Sequence, residues 1–186
     1  MPNLKQHIFN ENLCKIIREG FGEGYFLTKA IYFDKPPKSN WYVTWQQDVP
    51  INVVEKKEVN GFSGWTNKAG LVSVRPPLEY LQSVFTVRIH LENTDEKNGA
   101  LKVIPKTHFN ILSDAEIAEL RDSSESKCCK VQKGGVHLMK PLTLHASSKT
   151  LNEKHRRVIH LEFNNRSCRQ GWDGWSEERC EPLFMK

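Results

Sequence analysis

The chain has 186 residues, 38% hydrophobic and 26% charged, an ordinary balance for one domain with a sizeable core. No apolar run reaches the length of a membrane span, and the opening MPNLKQHIFN lacks a secretory core, so a single domain, 1–186, in the cytoplasm is expected. Lys and Arg exceed Asp and Glu by 27 − 22 = 5, but Lys56, Lys102, Lys133 and the other basic residues are scattered, which argues against a nucleic-acid partner.

In chain order, Asn10 to Arg18 reads as a short amphipathic helix, with Leu13, Ile16 and Ile17 at helical spacing behind an asparagine cap. Glycines at 20, 22 and 24 end it. From Tyr25 the pattern becomes strand-like, first over 25–33 and, after a KPPKSN turn, over 41–53. The polar stretch from Glu55 to Pro77 reads as a long loop of the kind that covers substrates, with Phe62 and Trp65 as wall residues or as ordinary packing. Further strand-like runs follow at 83–92, 100–105, 127–132, 136–140, 142–148 and 156–163, interrupted by a helix over 113–122 with a serine cap and an acidic first turn. Eight short strands predict a mainly β fold, a jelly roll with a few flanking helices. The terminal GWDGWSEERCEPLFMK carries no clear structural signal.

Two strands alternate strictly. Phe85, Val87, Ile89 and Leu91 oppose Thr86, Arg88, His90 and Glu92; Ile159, Leu161 and Phe163 oppose Arg156, Val158, His160 and Glu162. Periodicity leaves two readings open: polar faces turned to bulk water, or polar faces lining a wet hollow between two sheets.

Five cysteines without CxxC spacing read as reduced thiols, since the adjacent Cys128 and Cys129 would point to opposite faces of a strand. The seven histidines form no HExxH, and neither GxSxG nor a phosphate-cradling loop is present. What remains is a dispersed set: Asp48, His145 and Arg156. A carboxylate and an imidazole from different strands can share a metal, while a guanidinium holds a carboxylate ligand in two-pronged fashion.

The segments FDKPPKSNWYVTWQQD (33–48), DEKNGALKVIPKTH (95–108), KGGVHLMKPLTLHASSK (133–149) and RRVIHLEF (156–163) occur in this order. Together they resemble the phytanoyl-CoA dioxygenase family of iron(II)- and 2-oxoglutarate-dependent oxygenases, over roughly Tyr25 to Phe163. The resemblance implies a double-stranded β-helix, with Fe(II) as cofactor and 2-oxoglutarate as cosubstrate. It implies Asp48 and His145 as iron ligands, Arg156 as the clamp on the distal carboxylate of 2-oxoglutarate, and Ser147 and Gln47 as further contacts. Lys29 and Arg88, on neighbouring strands at positions that could face the pocket, are further candidate contacts to 2-oxoglutarate. The reaction implied is hydroxylation of a small organic substrate.

Two departures stand out. Gln46 occupies the position of the family's first histidine ligand, and Lys106 stands in a turn that usually carries glycine. Gln46 could ligate through its amide oxygen, leave its place to water, or mark a silent site. The alternative to an enzyme is therefore an inactive jelly roll binding a small carboxylate or a partner protein.

Overall fold

A computed structural model describes residues 4–166; the expectations for Cys168, Cys180 and the terminal stretch lie outside them. Two short helices, α1 (Leu4–Ile8) and α2 (Glu11–Phe21), lead the chain. The Asn10 side chain accepts from the Leu13 amide at 3.0 Å, and Gly22, at φ 89°, closes the helix by donating to the Arg18 carbonyl.

The strands are β1 (Phe26–Lys35), β2 (Val43–Gln46), β3 (Ile51–Val53), β4 (Ser63–Lys68), β5 (Leu71–Arg75), β6 (Phe85–His90), β7 (Leu101–Val103), β8 (Lys127–Cys128), β9 (Val136–Met139), β10 (His145–Ser147) and β11 (Arg156–Asn164). Helix α3 (Leu78–Ser83) precedes β6, and α4 (Asp114–Ser123) follows β7 behind the expected Ser113 capping box. One antiparallel sheet runs β1-β11-β6-β9 and a second runs β2-β10-β7-β8. The chain passes repeatedly from one sheet to the other, which makes the eight strands a double-stranded β-helix, the jelly roll the strand spacing predicted.

The apolar faces of β6 and β11 decide the question that periodicity left open. Phe85, Val87, Leu161 and Phe163 pack outward against Leu13 and Ile17 of α2 and against Tyr25. Phe21 stacks on Phe85 at 3.7 Å, and Phe85 on Phe163 at 5.0 Å. The helices take the apolar side, so the polar faces turn inward, toward the second sheet.

Two expectations are corrected. The run 41–53 is two strands, β2 and β3, in different sheets: Pro50 lacks an amide donor, and the Asp48 amide bonds the Pro141 carbonyl instead of a ladder partner. The stretch 55–77 is a hairpin, β4–β5, paired with β3 in a third sheet. Its turn is Ala69-Gly70 at φ 52° and 82°, the all-positive geometry of a type I′ turn, hidden because alanine seldom takes that place. Phe62 and Trp65 pack against the cluster of Ile51, Val74 and Leu81, as structural rather than lid residues.

Candidate active site

The β2–β10 pairing sets Gln46 directly opposite His145. His145 is buried, and its Nδ1 lies 2.8 Å from the Thr143 carbonyl. A carbonyl can only accept, so Nδ1 carries a hydrogen, and in the neutral ring Nε2 is the nitrogen with the free lone pair. That nitrogen lies 3.6 Å from Oδ2 of Asp48. Two electron-rich atoms thus face one another across a gap suited to a cation, with the imidazole tautomer fixed from behind as metal-binding histidines usually are. Gln46 turns its amide nitrogen to Asp48 Oδ1 at 3.3 Å. Among the described residues no three His, Cys, Asp or Glu side chains converge on a metal position, and position 46 offers an amide.

The adjoining wall is cationic. Arg156 is 3% exposed, yet its Nε has no partner and its guanidinium makes no hydrogen bond to any described residue. Burial, with Arg88 nearby, pushes its pKa down to about 10. Its register partner across β1–β11 is Lys35, which is wholly buried, bonds the Ser148 carbonyl at 2.5 Å and approaches Ser147 Oγ at 3.5 Å. Trp41 covers the ammonium at 5.6 Å, and burial plus Arg156 lower the Lys35 pKa to about 8. Sequence reasoning passed over Lys35. It lies inside the FDKPP segment, but its importance follows only from the pairing with Arg156.

Arg88, on the central strand β6, donates from Nη1 to His160 Nδ1 at 2.9 Å. His160 therefore donates from Nε2 to Glu162 at 3.1 Å, and Lys29 donates to the same carboxylate oxygen at 3.1 Å. Burial works to raise the Glu162 pKa, but those two partners outweigh it and hold it below the usual value. Register places Lys29 and Arg88 on the inner face of the sheet, joined through His160 and Glu162. His90 and His137 share this inner face, and burial, with Arg88 beside them, drives each down to about 4.

Gln47 is a correction. Its Nε2 donates to the carbonyls of Thr107, Asn110 and Leu142, and its Oε1 accepts from the Leu112 amide at 2.8 Å. The side chain is fully engaged in holding loops just beyond the end of β2. Lys106 has φ 65°, so the turn does demand the left-handed conformation that glycine takes freely.

The carboxylate–imidazole pair and the buried arginine thus lie between the two sheets of a jelly roll. The sequence profile of the phytanoyl-CoA dioxygenase (PhyH) family matches residues 1–158, and the chain belongs to that family. Among solved structures it is similar to EctD from S. alaskensis with bound Fe (TM-score 0.69, 16% identity, 100% of this chain and 63% of that one). It is similar to AviO1 from Streptomyces viridochromogenes Tue57 (0.61, 22%, 86% and 60%). It also resembles SnoK, a non-heme alpha ketoglutarate dependent carbocyclase from nogalamycin biosynthesis (0.65, 13%, 97% and 66%). At these identities the likeness speaks to fold, and the chain spans less than two thirds of each of these structures. No curated protein matches the chain. Among the described residues no helix is long and apolar enough to cross a membrane.

Proposed function

We propose that this protein is an iron(II)- and 2-oxoglutarate-dependent oxygenase acting on a small organic molecule, with a metal site weakened by Gln46. The observation that carries the reading is Arg156, a guanidinium buried without a hydrogen-bond partner beside an equally buried Lys35. Burying an unpaired charge costs several kcal/mol, and a carboxylate ligand supplies the missing partner. Arg156, Lys35 and Ser147 would take the distal carboxylate of 2-oxoglutarate. Asp48 and His145 would hold the metal, and Gln46 is the remaining donor. When bound, iron and 2-oxoglutarate together supply the oxidising power for attack on an unactivated C–H bond, with succinate and carbon dioxide released. The protein's own part is to orient the cosubstrate through Arg156 and to hold the His145 tautomer through Thr143.

A second reading has its own support. The Gln46 amide nitrogen bonds Asp48 Oδ1, so the carboxylate is partly engaged, as suits a module that binds 2-oxoglutarate or a similar acid without turnover. Anaerobic iron(II) titration with and without 2-oxoglutarate separates the two. A charge-transfer absorption, with metal affinity tightened by 2-oxoglutarate, supports the oxygenase. Binding of 2-oxoglutarate with no such band supports the silent module.

A further inference from the structure

Charge bookkeeping around the hollow leaves Arg88 without a counter-ion. Lys29 and Glu162 neutralise one another through a direct contact. In the reading above, the metal takes Asp48 and the distal carboxylate of 2-oxoglutarate takes Arg156 and Lys35. Arg88 is 7% exposed, its Nε is buried with no partner, and its one hydrogen bond goes to the uncharged acceptor nitrogen of His160. No carboxylate forms an ion pair with it among the described residues. The nearby Cys129 thiol is raised by burial and stays protonated, and His137, its register neighbour on β9, is held neutral.

The geometry is that of an anchor. Arg88 lies over the Phe33 ring at 5.5 Å, and Phe33 abuts Trp41 at 5.9 Å and His160 at 5.8 Å. The guanidinium is thereby stacked on one side and fixed through the His160–Glu162–Lys29 chain, with donors left over. A planar fork held in this way is suited to a carboxylate or phosphate. The Asp48 carboxylate is near enough to act on the Arg88 charge, which puts the anchor beside the proposed reaction centre.

We infer that the substrate is a small organic acid, carrying a carboxylate or phosphate that binds Arg88, with its carbon skeleton against Phe33 and Trp41. This rests on the cosubstrate reading above and assigns Arg88 to the other ligand.

Thermal denaturation of the full chain tests it, with N-oxalylglycine as a stable 2-oxoglutarate mimic and inorganic phosphate, benzoate and benzamide as probes. N-oxalylglycine is expected to stabilise wild type and Arg88→Gln alike and to lose its effect in Arg156→Leu. In N-oxalylglycine-saturated wild type, phosphate and benzoate then give a saturable rise in Tm that benzamide does not, and Arg88→Gln weakens it at least tenfold. Should Arg88→Gln fail to fold, Arg88→Lys makes the comparison, with a weakening of at least threefold because an ammonium cannot offer paired donors. No saturable response to either anion in wild type overturns the inference. So does a response unchanged in the Arg88 variants, or loss of N-oxalylglycine binding in Arg88→Gln, which would give Arg88 to the cosubstrate. Wild type that ignores N-oxalylglycine defeats the cosubstrate reading separately, and the anion responses are then scored on the free protein by the same criteria.

Discussion

Arg156 and Lys35 are direct partners across two antiparallel strands, both buried, and neither meets a carboxylate among the described residues. Like charges placed opposite one another destabilise a sheet, so the free protein carries a strain that an anion relieves. Saturating 2-oxoglutarate is expected to raise Tm even without metal, by the equivalent of about 2.7 kcal/mol at a hundred times Kd. Arg156→Leu should cost ~2–4 kcal/mol of 2-oxoglutarate binding. Calorimetric titration of both proteins is the check, and equal affinities would remove Arg156 from the site.

Lys35 gives this binding a pH dependence. Its pKa falls from 10.5 unfolded to about 8 folded, so between those values the unfolded chain holds more protons. Stability of the free protein should therefore rise as pH increases from about 8 toward 10.5, the penalty being fully present below 8. An anion beside the ammonium favours its charged form, so 2-oxoglutarate should bind with proton uptake near pH 8 and weaken above it. Titrations in buffers of different ionisation enthalpy measure that uptake; binding indifferent to pH from 7 to 9.5 contradicts it.

Acid should act through His90 and His137. Each is held neutral down to about 4 against an ordinary value of 6.5, so the unfolded chain takes up protons first. The stability they confer is whole above pH 6.5 and is lost as pH falls through 4. Denaturant midpoints across this window should drop, and His137→Asn should flatten the decline. A midpoint constant from pH 7 to 4 argues against neutral burial.

Gln46→His restores an imidazole opposite His145. Imidazole is a better donor than a neutral amide for first-row divalent metals, so affinity for iron(II) or nickel(II) should rise at least tenfold, about 1.4 kcal/mol. Metal titration against wild type shows it, and no change would mean that position 46 does not reach the metal.

Gly99 sits at φ 77°, where an added Cβ would come within 2.5 Å of the Ser148 carbonyl and 2.8 Å of Lys35 Nζ. Gly99→Ala should cost about 2 kcal/mol or more and should weaken 2-oxoglutarate binding by displacing Lys35. Urea denaturation and titration read the two effects independently.

Asp48, His145 and Arg156 stand out in the sequence only as a dispersed set, and the roles expected of them come from the family resemblance. Lys35, His160 and Glu162 were not legible, since their roles come from strand register, which no single segment encodes. The role of Gln47 was hidden because its partners, Thr107, Asn110, Leu112 and Leu142, are loop groups distant in the sequence. The strands of the two main sheets announced themselves by hydrophobic alternation. The β4–β5 hairpin did not, because β4 is largely exposed and Ala69 disguised the turn.

The amide of Gln47 grips four points of the loops behind β2, spanning Thr107 to Leu142. This bolts down the main chain on which Gln46 and Asp48 are mounted. The neighbouring position can then exchange one side chain for another while the mounting stays put, so Gln46→His is expected to alter the donor set without rebuilding the barrel.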